Sequence, residues 1–329
     1  MENQNKQSLW LKLEQTMGLQ KLIALIALIA IFTFFALSSE AFRSFDTAVS
    51  ILDASYYIGF LAIGVTFVII TGGIDLSIGT VMMCSAIMGG VLHDKMGVPL
   101  WLALIAILLI GGVFGLFNGI LIAKFGLPPF IATLGTMMIT RGLSSIVSNV
   151  QSVTFPLRGS EFGWYKDLFR TSNNFPTGLI VLIVMAVIAA IVLNKTRIGR
   201  YIFAIGSNKE ATRLSGVNVL KWEATAYVIS GLFAGLAGIA YAATYSTILP
   251  GTGNGMELDA IAGVVVGGTS LAGGVGSILG TIIGVFIMSV LKIGLPYIDL
   301  QPHYQLFITG FVVTVAVYLD IVIRHKKKK

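Results

Sequence analysis

Residues 100–123 read Leu-Trp-Leu-Ala-Leu-Ile-Ala-Ile-Leu-Leu-Ile-Gly-Gly-Val-Phe-Gly-Leu-Phe-Asn-Gly-Ile-Leu-Ile-Ala, from Leu100 to Ala123, with no charged side chain and Asn118 as the one amide. The run exceeds the ~20 apolar residues that an α-helix needs to cross the hydrocarbon core of a bilayer. Nine further apolar runs surround it, near 22–37, 50–70, 76–92, 130–147, 177–193, 223–243, two within 258–295 divided near 273–276, and 305–323. The third and eighth of the ten are short and rich in Gly. The whole chain of 329 residues is 56% hydrophobic and 11% charged, against about 25% charged in a soluble domain. Its mean hydropathy is +0.89. A soluble enzyme of this size has no surface for so few charges, and a disordered chain has no use for so many apolar groups. The fold class is all-α: a polytopic membrane protein with about ten transmembrane helices.

Ten spans put both termini on one side, and the basic residues choose the side. On the terminal side fall Lys6, Lys12, Lys21 and Lys124, the six Lys and Arg residues from Lys195 to Lys221, Arg324, and the tail Lys326, Lys327, Lys328 and Lys329. Arg43, Lys95, Arg158, Lys166 and Arg170 fall on the other. The expected arrangement is a cytoplasmic segment 1–21, a single membrane domain 22–323 and a basic cytoplasmic tail 324–329. Within the membrane domain, a loop near 151–176 lies outside and one near 194–222 lies inside. The +7 net charge is thus an orientation signal, with no nucleic-acid partner implied. The first run is short, and Ala36-Leu37-Ser38 resembles a leader cleavage site. If that span is retained, both termini are cytoplasmic.

The usual chemistry motifs are missing. GxxxxGK[ST], GxSxG, HExxH and CxxC do not occur, so the chain offers no phosphate-cradling loop, nucleophile elbow or zinc site of its own. Cys84 stands alone in a span, and His93, His303 and His325 are far apart, so no metal site is expected. An ion-coupled carrier usually places carboxylates deep in the membrane. Here Asp75 is expected at the cytoplasmic turn after the second span, Glu257 and Asp259 at the outer start of the eighth, and Lys292 near the outer end of the ninth, free to snorkel outward. Only Arg141 is expected near mid-membrane, about 16 Å into its helix. This pattern favours a transport subunit driven by another protein over a secondary carrier or channel.

Two local signals stand out. In the 194–222 loop, Ser207-Asn208-Lys209-Glu210 reads as a capping box, with the Ser207 hydroxyl accepting from the Glu210 backbone and the carboxylate reaching back. A short helix through Ala211, Thr212, Arg213 and Leu214 follows, and Gly216 is its stop. This helix is either an ordered loop or a docking element for a cytoplasmic partner. The second signal is a pair of Gly-rich turns, 71–80 and 272–281. They match at a constant offset in Gly72/Gly273, Gly73/Gly274, Gly79/Gly280 and Thr80/Thr281, as internal repeats of transporters do. Most glycines here are expected to serve close helix packing.

The same residues carry a resemblance. Thr71-Gly-Gly-Ile-Asp-Leu-Ser-Ile-Gly79, Phe130-Ile-Ala-Thr-Leu-Gly-Thr136, Asn194-Lys-Thr-Arg-Ile-Gly-Arg-Tyr-Ile-Phe-Ala-Ile-Gly206, Arg213-Leu-Ser-Gly-Val-Asn218, Glu257-Leu-Asp-Ala-Ile-Ala262 and Gly267-Gly-Thr-Ser-Leu-Ala-Gly-Gly274 together resemble the permease subunits of bacterial monosaccharide ABC importers, the ribose, galactose and xylose group. The resemblance covers the second to the ninth span. It implies the ABC importer permease fold in the bacterial inner membrane. The implied partners are a second copy of the permease or a close paralogue, a cytoplasmic sugar-type ATPase that uses ATP and Mg, and an extracytoplasmic sugar-binding protein. The chain itself needs no cofactor and is not an enzyme. The loop helix, with Ser207, Asn208, Lys209, Glu210, Ala211, Arg213, Leu214 and Gly216, is similar to the family's coupling helix. The related branched-chain amino acid and nucleoside permeases share the architecture, and the Gly-Gly-Ile-Asp-Leu-Ser and Glu-Leu-Asp-Ala-Ile-Ala stretches favour sugar.

The candidate pathway residues are Asn118, Phe130, Thr133, Thr136, Thr140 and Arg141. Thr133, Thr136 and Thr140 share a helical face with Phe130 by spacing, a mix of hydroxyls and aromatic ring that suits a sugar. Interhelical hydrogen bonding is the competing reading of the same threonines, and ion pairing within the bundle that of Arg141. Asp75 is read as a cap of the third helix, and Glu257 and Asp259 as complements to the dipole of the eighth or as contacts for the binding protein. Phe155, Phe162, Trp164 and Tyr165 in the outer loop suit either an interfacial aromatic belt or a docking platform.

Overall fold

A computed structural model describes residues 18–171 and 175–327. Lys6, Lys12, Lys328, Lys329 and most of segment 1–21 lie outside the described residues. Thirteen helices follow one another among the described residues: α1 (Leu19–Ser38), α2 (Phe45–Ile70), α3 (Ile78–Asp94), α4 (Leu100–Gly119, prolonged by a wide turn at Ile120–Lys124), α5 (Pro129–Ser148), α6 (Trp164–Phe169), α7 (Thr177–Lys195), α8 (Arg197–Ser207), α9 (Lys209–Leu214), α10 (Val219–Tyr245), α11 (Met256–Val266), α12 (Ile278–Gly294) and α13 (Pro302–Lys327). Two short strands, β1 (Val153–Thr154) and β2 (Thr247–Ile248), pair antiparallel.

Among the described residues, seven helical stretches are long and apolar enough to cross a membrane, one of them α12 carried on by a tight turn to Ile298. Each of the ten expected spans corresponds to a helix, and two of them, α3 and α11, are short. α3 has 17 residues, about 25 Å, and α11 has 11, about 16 Å. The eighth expected span is therefore a half-crossing. Its glycines explain why: Gly251, Gly253 and Gly255 before it and Gly268, Gly273 and Gly274 after it all have positive φ, so the chain leaves helical geometry on both sides.

Local chemistry fixes the helix ends. Ser44 accepts from the Thr47 amide at the start of α2, and Asp46 sits in its first turn, where a carboxylate complements the helix dipole. Pro128 and Pro129 open α5, and Asn149 closes it in the left-handed region at φ 55°.

The most hydrophobic stretch of α2 is wholly buried, whereas α1 and α7 bury only 17% and 22% of theirs. α2 is thus the centre of the bundle, packed against α10, α12, α11 and α7. α10 lies along α4 with backbones touching: a Cβ at Gly231 would meet the Gly111 carbonyl and lie 2.8 Å from Gly115 Cα. α11 and α12 touch in the same way through Gly263, Gly267, Gly280 and Gly284. Such contacts fit a setting where helix association depends on close packing rather than on water exclusion. α1 joins the bundle through Phe35, which packs on Gly294 and Phe42.

The bundle has two ends. One carries the strand pair and α6, and is called the hairpin face. The other carries α8, α9 and the loop 194–222, and is called the basic face.

Candidate functional site

The chain segment 71–77 is not helical and buries Gly73, Asp75 and Ser77. Gly72, at φ 84°, and Gly273, at φ 82°, turn the chain at the basic face, and the two turns touch: a Cβ on Gly273 would lie 2.9 Å from the Gly72 nitrogen and 2.9 Å from the Gly206 carbonyl. The Gly274 amide donates to the Ile70 carbonyl at 2.8 Å. The paired turns therefore meet each other under the last residues of α8, immediately before α9.

Asp75 lies beyond this turn, between the second and third spans as expected, and is buried. Its Oδ1 accepts from the Ser77 amide at 3.0 Å and the Ser77 hydroxyl at 2.6 Å. Its Oδ2 accepts from Ser230 on α10 at 2.9 Å. The chain of bonds continues: Asn118 Nδ2 donates to Ser77 at 2.9 Å, and Thr136 donates to Asn118 Oδ1 at 2.6 Å. Beside it Thr140 donates to Thr80 at 2.8 Å, and Thr80 to the Ser77 carbonyl at 3.0 Å. Three candidate residues, Asn118, Thr136 and Thr140, thus form one buried polar network linking α3, α4, α5 and α10.

The remaining candidates are placed differently. Thr133 is buried but bonds back to the Pro129 carbonyl at 2.8 Å. Phe130 is 53% exposed and does not share the buried threonine face. The i, i+3 spacing placed it near the edge of that face, and packing turns the edge outward. Arg141 is on the exposed side of α5, and its Nε donates to the Gly251 carbonyl at 2.8 Å. Ser144 accepts from the Gly251 amide at 3.1 Å. Together they pin the loop that leads into α11.

The N-termini of α3 and α11 converge. A Cβ on Gly79, in the first turn of α3, would lie 2.7 Å from Glu257 Oε2, and one on Gly253 would lie 2.6 Å from the Gly79 carbonyl. Each helix start has one of the chain's own carboxylates beside it: Asp75 ahead of α3, on the Ser77 amide, and Glu257 in the first turn of α11, whose two oxygens accept from the Gly255 amide at 3.0 Å. Asp259 is buried and pairs with Lys292 at 2.8 Å, so the expected outward snorkelling of Lys292 does not occur.

On the basic face α9 has the expected extent, but the cap is shifted by one residue. Asn208 accepts from the Ala211 amide at 2.9 Å. Ser207 ends α8 and donates to the Phe203 carbonyl at 2.9 Å. Glu210 does not reach back; it pairs with Arg213 at 3.0 Å. Gly216, at φ 80°, ends the element. Leu214 is 82% exposed. Lys209, its side chain still 54% exposed, reaches α10 and donates to both carboxylate oxygens of Glu223 at 2.8 Å. These two residues, with Thr71, Gly72, Gly73 and Pro129, line a polar cleft of about 310 Å³. Sequence reasoning missed the role of Glu223. Its signal was the polar spacing Glu223, Tyr227, Ser230 along one face of α10.

At the hairpin face Phe155 and Tyr165 are buried structural rings, while Phe162 and Trp164 are exposed. Arg170 pairs with buried Asp53 at 2.9 Å.

Comparison with known proteins gives these sites a context. The chain is 38% identical over 286 residues to the ribose import permease protein RbsC of Escherichia coli, covering 86% of this chain and 88% of that one. It is 38% identical over 277 residues to the fructose import permease protein FruG of Bifidobacterium longum, covering 82% and 80%. With the galactose/methyl galactoside import permease protein MglC of Haemophilus influenzae it shares 36% over 284 residues, covering 82% and 84%. No solved structure matches the chain. A family model described as the permease component of branched-chain amino acid transport systems matches residues 47–317, and with that extent of match this multi-pass, helical chain belongs to that permease family.

Proposed function

We propose that the chain is the membrane-spanning permease subunit of an ATP-driven importer for a monosaccharide such as ribose, galactose or fructose. The names of its relatives support a sugar. The structural observation that carries the reading is the pair of converging helix N-termini, each with an internal carboxylate beside it, next to a row of hydroxyls and one amide. An open half-helix N-terminus inside a transporter favours an anionic group of the cargo. Here Asp75 and Glu257 lie beside those ends, and their charge suits a neutral polyhydroxyl compound better than an anion. The family description favours a second reading, a branched-chain amino acid. Its carboxylate would meet Asp75 and Glu257 as like charges at either helix start.

In this reading the chain is not an enzyme. Two copies, or one copy and a paralogue, enclose the pathway, with Asn118, Thr136, Thr140 and Arg141 nearest to it. A cytoplasmic ATPase, using ATP and Mg, docks on α9, and an extracytoplasmic sugar-binding protein docks on the hairpin face. The basic face and both termini are then cytoplasmic and the membrane is the bacterial inner membrane. The ATPase moves the permease between states only by binding them with different free energies.

The test is reconstitution of the permease with ATPase and binding protein, followed by uptake over pentoses, hexoses and branched-chain amino acids. ATP-dependent sugar uptake is expected. Uptake that persists without the ATPase overturns the reading, and preference for an amino acid selects the second.

A further inference from the structure

Glu223, Tyr227 and Ser230 lie on one face of α10, at i, i+4 and i+7, against the segment 71–77. Glu223 holds Lys209 of α9, and Ser230 holds Asp75. Between them the Tyr227 hydroxyl is buried and makes no hydrogen bond among the described residues. A Cβ at Gly73 would fall on that hydroxyl, so only glycine allows the 71–77 segment to lie there. Glu223, and Asp75 held by Ser230, are thus the carboxylates placed on this face of α10. The polar cleft lined by Gly72, Gly73, Lys209 and Glu223 opens beside the start of this segment. A buried phenol without a partner is costly. Between two acceptors it has a use if the structure has a second state in which one of them moves within reach.

We propose that Tyr227 is a positioning residue for coupling: its hydroxyl bonds Glu223 in one transport state and Asp75 in the other, so that displacement of α9, carried by Lys209–Glu223, reaches the Ser77–Asn118–Thr136 chain. The inference rests on the import reading above. It defines a continuous polar track from the docking helix to the candidate pathway, with one link that changes partner.

Tyr227→Phe tests it, because the ring is kept and only the hydroxyl is lost. If the hydroxyl were merely an unsatisfied group, its removal would leave stability equal or higher and transport unchanged. In the reconstituted complex we expect uptake per ATP hydrolysed to fall by about tenfold, a typical coupling magnitude, with an equal or higher melting temperature. Uptake per ATP within about twofold of wild type overturns the proposal, a difference below the usual range of coupling. Loss of uptake together with a lower melting temperature also overturns it, since the hydroxyl is then structural. Wild-type uptake that does not need ATP overturns the import reading itself, whereas ATP-dependent wild-type uptake matched by Tyr227→Phe overturns the Tyr227 role alone.

Discussion

Lys292 on α12 donates to Asp259 Oδ2 on α11 at 2.8 Å, with its ammonium 5.8 Å from the centre of the Tyr57 ring. The side chains are 22% and 10% exposed, so neither charge has free access to water. The pair ties the half-helix α11 to a full-length neighbour close to the point where the α11 N-terminus meets α3. Removing one partner of a buried pair costs about 3–5 kcal/mol, because the other charge stays behind. Asp259→Asn and Lys292→Met should each lower the melting temperature of the detergent-purified protein. The double variant should recover most of the loss, since an uncharged replacement of a buried pair is often neutral. A double variant as unstable as the sum of the two singles contradicts this account.

Helix α9, the proposed docking element, gives a prediction with the opposite signature. Glu210 and Arg213 pair across one turn of α9 with side chains 72% and 69% exposed. An exposed pair of this kind contributes at most about 0.5 kcal/mol. Replacing both by Ala should therefore leave yield and melting temperature unchanged, while sugar-stimulated ATP hydrolysis in the complex falls. ATPase coupling equal to wild type removes these two residues from the docking surface.

What the sequence made legible follows from the physics of each feature. The spans are readable because apolar runs of a given length are a one-dimensional property. The α9 stop at Gly216 is readable because positive φ favours glycine. The α9 cap is off by one because Ser207 and Asn208 are both good caps, and only the continuation of α8 through Ser207 decides between them. The Lys292–Asp259 pair is not legible: the helices that hold its partners are separated by a turn whose geometry the sequence does not fix. Phe130 was misplaced for a related reason. Helical spacing groups residues into a face but does not say how far round the helix packing extends. Asn118, Thr136 and Thr140 were found by polarity in apolar surroundings, a signal that identifies a network without naming Asp75 as its anchor.

Glycine packing makes a paired prediction. Gly231 of α10 faces the α4 backbone at Gly111 and Gly115, whereas a Cβ on Gly135 of α5 meets nothing within 4 Å. Added volume in a filled contact costs about 1–3 kcal/mol or more. Gly231→Val should lose most monodisperse protein on gel filtration. Gly135→Ala should leave the fold equal or slightly more stable, as alanine is the better helix former by up to about 1 kcal/mol. Equal yields from both variants would mean that the α4–α10 contact is not as close as the structure has it.

Lys166 on the short helix α6 gives a prediction in pH. It is buried at the hairpin face and donates to the Ser246 hydroxyl. Burial lowers its pKa from the ordinary 10.5, and the nearby Arg170 and Arg158 lower it further. A lysine with a depressed folded-state pKa binds fewer protons folded than unfolded, so stability rises with pH across the interval from the depressed value up to 10.5. Below that interval the charged form carries its full cost. Lys166→Met removes the linkage. Thermal unfolding in detergent from pH 7 toward about 10.5, the unfolded lysine range, should show the wild type gaining on the variant as pH increases. A wild type that loses ground to the variant over that range would mean that Lys166 is better stabilised as a cation in the fold than in water, and that the Ser246 bond and the Tyr165 ring, 5.9 Å away, outweigh its burial.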